Sequence, residues 1–283
     1  MLEELQLRIH GDASFPTLIY LPGLHGDWTL IGGFRHAVDG KVRFVEITYP
    51  RTLIWSLDDY AAAVETALAE NGITTGWLLG ESFSSQVVWS MVARKDVTSD
   101  KWRVTRKEIP SPVTCHVSPA LSPVTCHFRV QGVILAGGFV KYPNPMFWLM
   151  EKIAARISTR LLVRIIFGYA KIARFRYRRS PQTLAAIDEF IARRTELDRR
   201  AAQHRLHLVA ENDPRPIARR AEVPVFGLTG LFDPIVPWPR VRRWLKKNCP
   251  ALRDYKIIRR ADHNVLSTAP VEASKQILEW MKL

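Results

Sequence analysis

The chain is short of cysteine, of acidic residues and of uninterrupted apolar sequence, and each shortage excludes something. Three cysteines in 283 residues, Cys115, Cys126 and Cys249, are too few and too unevenly placed for a disulfide framework. Such a chain is expected to hold its fold by burial and to work in a reducing compartment. Charged residues break every apolar run, including "RLLVRIIFGYA", before it reaches the roughly eighteen residues that span a bilayer. The opening "MLEELQLRIHGD" lacks the basic start and apolar block of a secretory signal, so the expected location is cytoplasmic. Asp and Glu number 27 against 41 Lys and Arg, a formal net charge of +14. Residues 139 to 222 hold 18 Lys/Arg against 8 Asp/Glu, so +10 of that charge belongs to one segment and describes a local surface.

What is present is a large apolar fraction, 47%, enough for one core or one core with a lid. Strand-like and helix-like periods alternate along it. "ELQLRI", "TLIYLPG" and "KVRFVEITYP" read as strands, and "SLDDYAAAVETALAENG" as a helix with Ser56 at its N-cap and Gly72 past its end. "GWLLG" is a buried strand, "SSQVVWSMVARK" a helix and "VQGVILAGGFV" a strand. The pattern returns in "PVFGLTG", "PRVRRWLKKN", "YKIIRR" and a terminal helix from about Val271 to Met281. This alternation predicts a mostly parallel α/β sheet with helices on both faces, whose ligands collect at the carboxyl ends of the strands.

At one such end stands "GESFS": strand, Gly80, Glu81, Ser82, Phe83, Ser84, helix. A serine on a sharp strand-to-helix turn is the context of a nucleophile elbow, and the tight turn needs small residues two positions to either side. Gly80 meets that need, and Ser84 departs from the usual glycine. The plain alternative makes Ser82 a helix N-cap. A serine nucleophile needs a base, and the base needs a carboxylate to hold its tautomer. Of the eight histidines, His263 in "RRADHNVLSTAP" lies just past the last strand, and Asp233 in "GLFDPIVP" just past the preceding one. Asp262 is a spare carboxylate beside the histidine. The amide of Phe83, opening the helix, is a candidate donor to an oxyanion.

With "YLPGLHGDW", "GESFS", "GLFDPIVP" and "ADHNVLSTAP" in this order, the chain resembles the α/β-hydrolases. The resemblance implies Ser82 as nucleophile, His263 as general base and acid, and Asp233 as the orienting carboxylate. It implies an oxyanion donor after a His-Gly pair, here Pro22-Gly23, so that Leu24 donates; aligning His25-Gly26 instead would shift the donor to Asp27. His25 and Glu81 are expected near the substrate pocket, with Glu81 and Phe83 shaping its mouth. The fold expected is the α/β-hydrolase sheet over 1–138 and 223–283, with an irregular insertion at about 96–128 and a helical cap at 139–222, before the last two strands.

The activity implied is hydrolysis of a carboxylic ester or thioester through an acyl-enzyme, on a small-molecule acyl substrate and with no cofactor. An acyltransferase or a carbon–carbon bond hydrolase would use the same triad, and an idle domain of this fold would serve as a binding module. The basic cap, with Phe147, Trp148, Leu149 and Met150 beside recurrent arginines, would rest on an anionic membrane surface or pack its apolar stripe on the catalytic domain. "KIARFRYRR" interleaves basic and aromatic residues, but no recognition-helix motif accompanies it and no nucleic-acid partner is expected. "SPVTCH" occurs at 111–116 and again at 122–127, and adjacent Cys-His pairs rarely converge on one ion, so no metal is expected there. The sequence is silent on oligomeric state.

Overall fold

The computed structural model describes residues 4–96, 128–142 and 195–282, with single positions 184, 185, 188, 189 and 192. The "SPVTCH" repeat and most of the basic segment lie outside these.

Seven strands form one sheet: β1 (Gln6–His10), β2 (Thr17–Leu21), β3 (Arg43–Thr48), β4 (Thr75–Glu81), β5 (Arg129–Ala136), β6 (Val225–Gly230) and β7 (Leu252–Ile258). Their order is β1-β3-β2-β4-β5-β6-β7; β1 runs antiparallel to β3 and every other pair is parallel. Each strand falls on a segment whose period predicted one. β1 alternates without becoming buried, as an edge strand does, whereas β4 and β6 are continuous apolar runs because helices cover both of their faces.

Side-chain parity sorts the core into two layers. Ile19 and Leu21 of β2 face α2 (Leu57–Glu70) and α3 (Ser84–Asp96). Leu18 and Tyr20, one residue out of step, face α1 (Gly32–Val38), and the same layer takes in the C-terminal helices. The predicted helix at 57–70 has its start fixed by a reciprocal cap: Asp59 N–H donates to Ser56 Oγ at 3.2 Å and Ser56 N–H to Asp59 Oδ2 at 2.8 Å.

The stretch 139–222, predicted as a cap, contains α4 (Glu196–Glu211) and α5 (Arg215–Arg220). Val209 and Ala218 of these helices pack in the same apolar layer as α2 and α3. This part of the segment therefore contributes to the core beside the sheet, because its apolar stripe finds a partner there. Three helices follow: α6 (Trp238–Asn248) after β6, then a short α7 (Val265–Thr268) and the terminal α8 (Pro270–Met281) after β7.

Candidate active site

β4 ends at Glu81 and α3 begins at Ser84, so two residues turn the chain from strand to helix. The turn puts Ser82 at φ +49°, the only positive φ outside glycine among the described residues. A left-handed serine costs roughly 1–3 kcal/mol, which surrounding contacts must offset. Ser82 N–H donates to Ala136 C=O at 2.9 Å, and Ser82 C=O accepts from Ser85 N–H at 3.0 Å and Ser85 Oγ at 2.7 Å. The turn brings strand and helix so close that a Cβ at Gly80 would lie 2.8 Å from Val88 Cγ2 and 2.9 Å from Ser84 O. Glycine is required there by space.

Ser84 makes positive use of its departure from glycine. Its hydroxyl is wholly buried, donates to Pro22 C=O and accepts from Tyr49 OH at 2.7 Å. The helix that follows Ser82 is thereby tied to the loop after β2.

His263 stands between β7 and α7, and Asp233 in the turn after β6. Both reach back over the carboxyl end of the sheet. Ser82 Oγ is 2.8 Å from His263 Nε2, and His263 Nδ1 is 2.9 Å from Asp233 Oδ2. The hydroxyl of Ser82 thus meets an imidazole rather than capping α3. The other oxygen of Asp233 accepts the N–H groups of Ile235 at 2.9 Å and Val236 at 2.8 Å, which aims the carboxylate. Burial disfavours the imidazolium, but the hydrogen bond and charge of Asp233, joined by the charges of Glu81 and Asp262, outweigh it and raise His263 above 6.5. Asp262 itself accepts from Asn264 N–H at 3.0 Å.

The loop after β2 closes as a turn in which Gly26 N–H donates to Gly23 C=O at 3.0 Å. The N–H and C=O of one trans peptide point in opposite directions, so this bond turns Leu24 N–H outward. Tyr49 N–H holds Gly26 C=O at 2.8 Å. Among the described residues, no acceptor takes the backbone N–H of Leu24 or of Phe83. A Cβ placed on Gly23 would lie 3.6 Å from Ser82 Cβ and 3.3 Å from Cε1 and Nδ1 of His25, so the turn and the His25 ring both lie beside the serine.

Solved structures share this arrangement of elements over nearly the whole chain. A thermophilic esterase from Thermogutta terrifontis superposes with a TM-score of 0.72 at 16% identity, covering 98% of this chain and 93% of that one. An enol-lactonase from Burkholderia xenovorans LB400 gives 0.71 at 15% identity, with 99% and 96% covered. An esterase from Rhodococcus sp. ECU1013 gives 0.68 at 15%, with 98% and 94% covered. The chain has the α/β-hydrolase fold. No family model matches the sequence, and no curated protein does either.

Within this α/β-hydrolase fold, two expectations require correction. Glu81 was expected at the pocket, yet it is 3% exposed and its carboxylate accepts Tyr20 OH at 2.6 Å. Parity explains it: Glu81 follows Trp77 and Leu79 on the face of β4 that packs on α1 and α8. The Phe83 ring, expected at the pocket's mouth, is 1% exposed and lies edge-on to Tyr49 and Tyr60, so only its backbone is available to the site. Tyr49 and Arg205 of α4 were missed, as was the tie that Ser84 makes to the loop after β2. Arg205 is 2% exposed, and its guanidinium donates to Leu24 C=O at 3.0 Å and Pro50 C=O at 3.1 Å. The pattern around Tyr49 carries no signal of its contact, and Arg205 stands in a segment so rich in arginine that a buried one looks like its solvated neighbours.

The Cys115 and Cys126 pairs, and the residues proposed to meet an anionic surface, lie outside the described residues. Cys249 is buried in the core. Among the described residues no helix is long and apolar enough to cross a membrane.

Proposed function

We propose that this protein is a serine hydrolase that cleaves a carboxylic ester or thioester through an acyl-enzyme. One observation carries the reading: hydroxyl, imidazole and carboxylate from three separate strand ends line up within hydrogen-bond distance, with the serine held in a strained conformation. The esterases and the enol-lactonase of the same fold support an ester-type substrate.

Asp233 holds the Nδ1 proton of His263, which leaves Nε2 to accept from Ser82. Attack of Ser82 Oγ on the substrate carbonyl carbon passes the serine proton to Nε2, and the electron pair of the C=O bond moves onto oxygen. The outward N–H of Leu24 and that of Phe83, at the start of α3, are the donors assigned to that oxyanion. Collapse of the tetrahedral intermediate breaks the bond to the leaving alcohol or thiol, which takes the proton back from the imidazolium. Water then repeats the sequence on the acyl-enzyme, releasing a carboxylic acid and regenerating Ser82. Balance requires no cofactor. His25, on the turn beside Ser82, is assigned to the wall of the acyl pocket.

A fluorophosphonate probe tests the reading. The wild-type protein is expected to be labelled on Ser82, and Ser82→Ala to lose the label while keeping its circular dichroism spectrum. Label retained in the folded mutant, or a folded wild type that takes none, would remove the serine from its role.

A further inference from the structure

A guanidinium buried on neutral partners is costly, and an apolar side chain would fill the same space without desolvating a charge. Arg205 is such a group. Among the described residues no carboxylate pairs with it: Nε donates to Tyr60 OH at 3.4 Å, Nη1 to Leu24 C=O and Nη2 to Pro50 C=O, and the rings of Tyr49 and Tyr60 lie 5.7 and 5.9 Å from Cζ. The space it occupies is reserved by Gly26, where φ is +84° and an added Cβ would lie 2.4 Å from Nη1.

Leu24 and His25 are the two central residues of the turn closed by Gly26 N–H and Gly23 C=O. Rotating the peptide between those central residues would convert the turn to type II, which needs a positive φ at its third residue; His25 has none, so Leu24 C=O stays on the side of the turn where Arg205 reaches it. The oxygen of that peptide is the one Arg205 holds. Other contacts fix the rest of the turn: Ser84 holds Pro22 C=O and Tyr49 N–H holds Gly26 C=O. Without the guanidinium, the peptide that follows the assigned donor would be the one carbonyl between Pro22 and Gly26, His25 apart, with no tether.

We infer that Arg205, supplied by the helix between β5 and β6, is a positioning residue: by holding Leu24 C=O and Pro50 C=O together it anchors Leu24, whose N–H the Gly26–Gly23 bond turns outward, at a fixed place beside Ser82. The inference rests on the hydrolase reading above, and it adds that α4 fixes the position of an oxyanion donor carried by a different loop. Lysine cannot replace the fork, because one ammonium does not span two carbonyls in the plane that a guanidinium offers.

The test compares wild type, Ser82→Ala, Arg205→Met and Arg205→Lys for fluorophosphonate labelling and for hydrolysis of a short-chain p-nitrophenyl ester. For Arg205→Met, kcat and the labelling rate should both fall on the order of 10²-fold, the scale of a lost oxyanion donor. KM should stay within about threefold, since ground-state binding is not the interaction removed. The acid limb of kcat/KM should not move, because Arg205 makes no contact with His263. Arg205→Lys should lose on the order of tenfold in kcat, and it decides the matter if the methionine variant does not fold. A folded Arg205 variant with wild-type kcat and only a lower melting midpoint would overturn the inference, as would a loss carried by KM. If wild type is labelled on Ser82 and Arg205→Met is labelled at the same rate, the positioning role alone fails. If wild type is not labelled, the hydrolase reading fails and takes this one with it.

Discussion

Replacing Asp233 with asparagine probes the site at the point where geometry and electrostatics separate. The side chain is fully buried, and Oδ1 accepts two backbone N–H groups while Oδ2 faces His263 Nδ1. Asparagine keeps the shape and, with its carbonyl on Ile235 and Val236, keeps the two backbone bonds. Its NH2 group then faces Nδ1. Two donors cannot share that 2.9 Å contact, so the imidazole proton must move to Nε2, the atom that has to accept from Ser82. A triad locked in the wrong tautomer loses on the order of 10⁴ in kcat. The exchange of a charged acceptor for a neutral one costs about 1–3 kcal/mol of stability, little enough for the fold to survive. The pH profile supplies an independent sign. In the wild type, burial pushes His263 down, and the hydrogen bond and charge of Asp233 together with the charges of Glu81 and Asp262 outweigh it. Removing the Asp233 charge leaves burial opposed by the two weaker contributions. The acid limb of the residual kcat/KM should therefore shift to lower pH than in wild type. Linkage gives the same sign for stability. A histidine raised in the folded state adds stability that is complete below about 6.5 and is lost as pH rises through its folded value, and that increment should shrink in the asparagine variant. The assay is a pH–rate series on a chromogenic ester with thermal melts across the same range. A limb that stays in place or moves up, or a kcat within about tenfold of wild type, would refute the assignment of Asp233.

Two further variants test neighbouring contacts. Ser84→Ala should cost about 1–3 kcal/mol in urea unfolding, because it leaves the buried Pro22 carbonyl and Tyr49 hydroxyl without their shared partner, and kcat should fall with it as the turn after β2 loosens. Asp262→Asn should retain most of the activity and lower the acid limb only slightly, since this carboxylate bonds Asn264 N–H and acts on His263 through its charge alone; a collapse of activity as deep as in Asp233→Asn would exchange the roles of the two acids.

Much of the fold was legible along the chain. All seven strands fall on segments whose apolar period announces them, and the cap of α2 is readable in Ser56 and Asp59, because both depend on residues a few positions apart. The three side chains that meet at the sheet's edge were also legible, each standing just past a strand whose carboxyl end had to face the same way in a parallel sheet. The helices at 196–220 were read as part of a cap, since an amphipathic, arginine-rich stretch has the same pattern whether its apolar stripe packs on a lid or on the sheet. Glu81 was misplaced for a related reason: a charged residue beside the serine suggests a pocket, and only the register of β4 sends it to the opposite face.

The sequence by itself determined which elements form, their order, and which serine, histidine and aspartate compete for one strand edge, because hydrophobic period and turn chemistry act over a few residues. Tertiary structure alone decided that Ser84 ties the elbow to the loop after β2 and that one arginine among many is buried against Leu24 and Pro50. Those contacts join residues from 62 to 181 positions apart, and no local pattern in the chain encodes which distant surfaces close upon each other.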